Sequence, residues 1–168
     1  MIGIGQDFPD WELVGVSSTN KFVEVDLGYS DRWRVIYFYP KDFTFICPTE
    51  IAAMDIVSDE AQVVGISGDN EFCKLAWKES NPLIDNISHT LCADLGLRLA
   101  SVLGIADELE GVCQRATFIV DPTGIIQHIT VNALDTGRNA NETLRTLKAL
   151  KADGLTGCSW EEGEDFVA

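Results

Sequence analysis

Trp33-Arg34-Val35-Ile36-Tyr37-Phe38 leads through Tyr39-Pro40-Lys41-Asp42 into Phe43-Thr44-Phe45-Ile46-Cys47-Pro48-Thr49-Glu50. The first six residues are dense in aromatic and β-branched side chains and predict a buried central strand. The Tyr39–Asp42 stretch breaks it, and a helix is expected from about residue 44 to 55. Downstream, Gln62-Val63-Val64-Gly65-Ile66-Ser67 reads as a second apolar strand. Residues 70–80 suit an amphipathic helix with Phe72, Leu75 and Ala76 on one face, and 97–103 a shorter one. Ala116-Thr117-Phe118-Ile119-Val120 is a strand, and Asp121-Pro122-Thr123-Gly124 has the Pro and Gly placement of a type I turn. The return strand is 125–131. Asn139 with Glu142 forms a capping box for a helix whose Leu144, Leu147 and Leu150 face inward. Upstream, Val23-Glu24-Val25-Asp26 alternates like a short edge strand.

Strand and helix alternate first, and a hairpin plus helix close the chain. That order predicts an α/β domain with a mixed central β-sheet flanked by helices, which a thioredoxin-like fold fits. Residues 1–153 are expected to form this domain. Residues 154–168 read as a tail, ending in the acidic and mobile Trp160-Glu161-Glu162-Gly163-Glu164-Asp165.

The chain has 168 residues, 46% hydrophobic and 23% charged, which is the size and balance of one globular domain. Its formal net charge of -15 disfavours nucleic acid and anionic membranes as partners. The first residues lack the basic start and apolar run of a signal peptide, so a cytoplasmic setting is expected. Five cysteines stand at 47, 73, 92, 113 and 158 without a C-x-x-C pair. His89 and His128 are far apart and near no acidic cluster. No metal site and no cofactor are therefore expected, and reduced thiols are.

Cys47 falls in the first turn of the expected helix, where Pro48 is tolerated and free backbone N–H groups favour an anion. A free cysteine with a pKa near 8.5 is only about 3% thiolate at pH 7, and bringing it to about 6 takes roughly 3.4 kcal/mol. A helix terminus contributes up to ~2 kcal/mol and a charged hydrogen-bond donor ~1.5–3, so an adjacent arginine completes the shift. Full ionisation gains only about thirtyfold. Donors aimed at the leaving oxygen must supply the remaining acceleration. Thr44, one helical turn before Cys47, is placed to accept a hydrogen bond from a peroxide and donate one to the thiolate. Pro40 shields the site and shapes the turn. The same residues also suit a buried core thiol behind an ordinary N-cap.

The sequence resembles the peroxiredoxins, specifically the alkyl hydroperoxide reductase C branch of the typical 2-Cys enzymes. Pro40-x-x-x-Thr44-x-x-Cys47 matches that family's active-site signature. Gln114-Arg115-Ala116-Thr117-Phe118-Ile119-Val120-Asp121 is similar to the strand carrying its catalytic arginine, and Gly137-Arg138-Asn139 to a later block. The resemblance implies that Cys47 is the nucleophile that reduces hydrogen peroxide and organic hydroperoxides, becoming a sulfenic acid. It implies Arg115 as the cation beside it, Glu50 as the residue orienting Arg115, and Arg138 in the same ionic network. It implies a C-terminal resolving cysteine from a partner subunit, for which Cys158 is the candidate. Alignment on Trp160, however, places Thr156 where most relatives carry that cysteine. A 1-Cys peroxidase and resolution by Cys73, Cys92 or Cys113 stay open, as does a redox-regulated holdase chaperone. Strand alternation would point Cys113 and Arg115 to one face.

The implied partners are a peroxide, a dithiol or flavoprotein reductant, and further copies of the chain in a homodimer or ring of dimers. The 125–131 strand is the candidate pairing edge, and Phe43 and Phe45 are candidates for ring contacts. Only residues 55–61 separate Met54 from Gln62, more than a helical turn fewer than the resemblance implies, so the helix carrying Cys47 is expected to be shortened relative to that family. The Gly-Gly-Leu-Gly and C-terminal Tyr-Phe elements of overoxidation-sensitive members are missing, which implies a robust enzyme.

Overall fold

The computed structural model describes residues 2–168. Its elements are β1 (Glu12–Val16), β2 (Phe22–Asp26), β3 (Arg34–Phe38), α1 (Cys47–Met54), β4 (Gln62–Ser67), α2 (Glu71–Ser80), β5 (Thr90–Ala93), α3 (Arg98–Leu103), β6 (Ala106–Asp107), β7 (Val112–Cys113), β8 (Arg115–Val120), β9 (Ile126–Asn132) and α4 (Ala140–Lys151). Seven strands form one sheet in the order β2-β1-β5-β4-β3-β8-β9. β3 is parallel to β4 and antiparallel to β8, so the sheet is mixed. Every residue of β3 is buried, as its run of apolar side chains demands.

The two sides of the sheet carry separate cores. On one, Ile36 and Phe38 meet Leu99, Ala100 and Leu103 of α3. On the other, Val35, Tyr37 and Tyr39 meet Cys47, Ile51 and Met54 of α1, Trp77 of α2 and Leu147 of α4. This second side holds the functional site.

Several expectations change. The helix at the break begins at Cys47, not Thr44, and a short 3-10 turn, Asp55–Val57, follows it. Phe43 takes a left-handed backbone, φ 57°, which keeps residues 43–46 out of the helix. α2 buries Lys74, Trp77 and Lys78, while Phe72 and Ala76 are exposed. The apolar stripe misleads there because two lysines extend inward to polar partners. Lys78 Nζ donates to Ser17 O at 2.8 Å. In α4, Asn139 accepts from Glu142 N–H, but the Glu142 carboxylate turns to Arg145, so only half of the capping box forms.

The tail is not loose. Trp160 is buried and stacks on Phe166, its carbonyl accepts from Arg145, and Lys148 pairs with Glu162. β2 and β9 are the sheet edges, as expected for the alternating 23–26 segment and for the 125–131 strand. Residues 5–8 cover the start of β9, with Ile126 N–H donating to Gln6 O and Phe8 N–H to Gly124 O.

The far end of α1 is fastened by Asp55, whose Oδ1 accepts from Ser88 N, Ser88 Oγ and His89 Nδ1 at 2.8, 2.9 and 2.6 Å. Burial opposes the Asp55 charge, but these donors win and hold its pKa down to about 2. Burial pushes the His89 pKa below its ordinary value despite Asp55. Below about pH 6.5 the unfolded chain therefore takes up a proton at His89 more readily than the folded one does. Stability should therefore decline as pH drops below about 6.5, and decline further from about pH 4 toward 2 as Asp55 protonates. Urea unfolding between pH 8 and 3 checks this. Asp55→Asn should shrink the second decline, part of which belongs to Asp121, and an unchanged acid slope would refute the assignment.

Candidate active site

Cys47 opens α1 and is only 1% exposed. Ile46 provides no side-chain cap, and its carbonyl accepts from Thr49 and Glu50 N–H. Pro48 occupies the first turn, where no N–H is needed. Arg115, the first residue of β8, donates from Nη1 to Cys47 Sγ at 3.3 Å and to Glu50 Oε2 at 2.6 Å. Its Nε donates to Leu134 O at 2.7 Å, which fixes the fork. Burial alone would lower the Arg115 pKa, but Cys47 and Glu50 beside it raise it overall.

The other Glu50 oxygen, Oε1, accepts from Arg138 Nε and from Arg138 N at 2.9 and 3.1 Å. Arg138 also donates to Ala116 O, Thr117 Oγ1 and Phe38 O. One buried carboxylate is therefore shared by two buried guanidiniums, and the excess positive charge faces the sulfur. The fold brings Cys47, Glu50, Arg115 and Arg138 together from α1, β8 and the loop before α4.

Thr44 is different from its expected arrangement. Because the chain there is not helical, its hydroxyl donates to Lys41 O at 2.8 Å and makes no hydrogen bond to Cys47. Its lone pairs remain available to accept. Pro40 is half-buried in the bend before it.

The loop that carries Thr44 rests on groups that sequence reasoning missed. Asp42 accepts from Tyr39 Oη at 2.9 Å, from Ser67 Oγ at 2.9 Å and from the fully buried Lys74 at 3.2 Å. Asp42 N–H donates to Asp69, and the Phe43 ring lies against Trp77 at 5.9 Å. Three polar residues close to the signature in sequence or strand register are the only signal for this cluster.

All five cysteines are free. Burial pushes Cys73 up to about 11, and Cys92 and Cys113 up to about 12, so these three are held as thiols. Cys113 Sγ donates to Tyr39 O and packs on the α3 side of the sheet. It does not share the face of Arg115, because Gln114 interrupts the strand and its alternation. Cys158 is exposed on the tail with only Ser159 Oγ near its sulfur, at 3.7 Å.

A mixed sheet of this order, with a sulfur at a helix start against a paired guanidinium, defines a thioredoxin-like enzyme of the thiol class. The family model described as AhpC/TSA matches residues 4–129. The chain is 37% identical over 184 residues to alkyl hydroperoxide reductase C of Mycolicibacterium smegmatis, covering 99% of this chain and 94% of that protein. Its counterpart in Mycobacterium tuberculosis is 41% identical over 181 residues, covering 98% and 92%. The reduced 2-Cys peroxiredoxin of Plasmodium vivax superposes with a TM-score of 0.90 at 31% identity, over 98% of this chain and 92% of that one. Mycobacterium tuberculosis AhpC gives 0.85 at 34% identity, over 95% and 97%. The chain belongs to the AhpC/TSA family, the peroxiredoxins, and is a thiol-dependent peroxidase. Among the described residues no helix is long and apolar enough to cross a membrane.

Proposed function

We propose that Cys47 is the nucleophile of this peroxidase and that Cys158 of a second copy resolves the product. The observation that carries the reading is the Arg115 Nη1 bridge between Cys47 Sγ and Glu50 Oε2. The Cys47 thiolate attacks one peroxide oxygen, the S–O bond forms, and the O–O bond breaks. The second oxygen leaves with its electron pair and takes a proton, giving water or an alcohol and a Cys47 sulfenic acid. Arg115 donates to the sulfur and to the oxygen bearing developing charge. Thr44, its own proton committed to Lys41 O, accepts the O–H of the peroxide and orients it. Pro40 closes the site to water, while Glu50 and Arg138 hold Arg115.

The Cys158 thiol then displaces water from the sulfenic acid to form a disulfide, which a dithiol or flavoprotein reductant reopens in the cytoplasm. Exposure singles out Cys158, since Cys92 and Cys113 are buried and the Cys73 thiol is held protonated. Residues 154–168 act as the resolving tail of the peroxidase domain 1–153. Pairing of two copies along the part of β9 beyond Ile126 suits its free edge. Phe45, 95% exposed, and Phe43 are apolar side chains beside the site that suit contacts between dimers.

Reduced protein treated with one equivalent of hydrogen peroxide should run as a covalent dimer on a non-reducing gel, and peptide mapping should yield a Cys47–Cys158 bridge. Cys158→Ser should leave sulfenic acid on Cys47 and no dimer. A wild-type protein that accumulates sulfenic acid without a bridge would establish the 1-Cys form instead.

A further inference from the structure

Behind Arg138 lies a line of buried polar side chains that the peroxide chemistry above does not use. Tyr37 is fully buried in β3, and its hydroxyl sits 2.7 Å from His89 Nε2. His89 Nδ1 is 2.6 Å from Asp55 Oδ1. A carboxylate can only accept, so Nδ1 carries a proton, and in the neutral imidazole Nε2 accepts from the phenol. On the other side, the Arg138 guanidinium lies over the Tyr37 ring, 5.1 Å from its centre.

We propose that Tyr37 is a positioning residue for the peroxide reaction: its ring seats Arg138, and the His89–Asp55 pair fixes that ring by holding its hydroxyl. The inference rests on the reading of Cys47, Glu50 and Arg115 given above.

Four of the five in-plane N–H donors of Arg138 are engaged, by Glu50, Ala116 O, Thr117 Oγ1 and Phe38 O. Those bonds set its position within the guanidinium plane. The Tyr37 face supplies support perpendicular to it, through attraction between the cation and the ring. The ring cannot slide away, because it crosses Gly65 of β4 so closely that a Cβ there would fall 2.5 Å from its hydroxyl. A phenylalanine would offer the same face without burying a phenol, an imidazole and a carboxylate. What the polar line adds is a link. Asp55 terminates α1, and Glu50 within α1 is held by Arg138, so two grips on one eight-residue helix meet at one ring. The position of Glu50, and with it the Arg115 bridge to Cys47, is thereby tied to Tyr37.

The test uses the full chain, comparing Tyr37→Leu, Tyr37→Phe, His89→Gln and Arg138→Ala with the double variant Tyr37→Leu/Arg138→Ala. Stopped-flow rates with hydrogen peroxide and Cys47 alkylation rates at pH 6 are the readouts, with far-UV circular dichroism as the check of folding. Tyr37→Leu should react about tenfold more slowly with peroxide, the scale of a desolvated cation–ring contact. Tyr37→Phe, which keeps the ring face but loses its anchor, should be slower than the parent by about threefold, and the double variant should be no slower than Arg138→Ala.

A folded Tyr37→Leu that reacts and alkylates like the parent, while Arg138→Ala is slow, overturns the inference and leaves the site reading intact. A Tyr37→Phe indistinguishable from the parent also overturns it, because the hold of His89 and Asp55 on the ring would then contribute nothing. If Arg138→Ala and Arg115→Ala both retain full rates, the site reading itself has failed and takes the inference with it. Should Tyr37→Leu not fold, the His89→Gln/Arg138→Ala cycle decides: additive losses overturn the proposal, and a shared loss upholds it.

Discussion

Cys47→Ser is expected to abolish peroxide consumption, lowering the rate by at least about 10⁴-fold, the scale on which enzymes lose activity with their nucleophile. A serine hydroxyl stays protonated at neutral pH, and neither a helix end nor one guanidinium is strong enough to ionise it. No other cysteine can substitute. Burial keeps Cys73, Cys92 and Cys113 as thiols, and the Cys158 sulfur has no cationic donor within hydrogen-bond reach. Serine is close in size, and its oxygen can still accept from Arg115, so the fold should persist. Peroxide loss in the presence of dithiothreitol, corrected for the reductant alone, measures the effect. Residual turnover well above that background would move the chemistry to another residue.

Arg115→Ala should lower the second-order rate constant by about 10²–10³-fold, the usual consequence of deleting one donor aimed at developing charge. The loss should be equal for hydrogen peroxide and a bulky organic hydroperoxide. Arg115 acts at the sulfur and the breaking bond, 3.3 Å from Sγ, not at the remote end of the substrate. Arg115→Lys should recover only part of the rate. One ammonium cannot reach Leu134 O, Glu50 and Cys47 in the fixed directions that Nε and Nη1 provide. Stopped-flow measurement with both peroxides separates the cases, and a loss confined to the bulky substrate would reduce Arg115 to a specificity role.

The fold was legible where burial is continuous. β3 and β8 are buried along their whole length, and their apolar runs say so in one dimension. β1 escaped notice because Gly15 interrupts it, although a side chain there would strike Leu91 O and Cys92 across the strand pair. β5 has four residues and no alternation to detect. Cys47 stood out by its place at a helix start, but Glu50, Arg115 and Arg138 were joined to it through the resemblance, since no local pattern joins residues 68 positions apart. Lys74 and His89 were not found at all. A charged or titratable residue on an amphipathic stretch reads as solvent-facing until a partner from a distant segment, here Asp42 or Asp55, is known to meet it.

The two sides of the sheet bury different chemistry, and mutational drift should treat them differently. The α3 side buries mainly hydrocarbon, with Arg34 and Asp94 as charged exceptions, so its apolar positions can exchange one hydrocarbon for another as long as volume is kept. The α1 side interlocks Glu50, Arg115, Arg138, Tyr37, His89, Asp42 and Lys74. A single replacement there strands a partner in a medium that solvates it poorly. Over generations, the apolar positions of one half are therefore free to vary one at a time, while the polar groups behind the reactive sulfur can change only through compensating pairs.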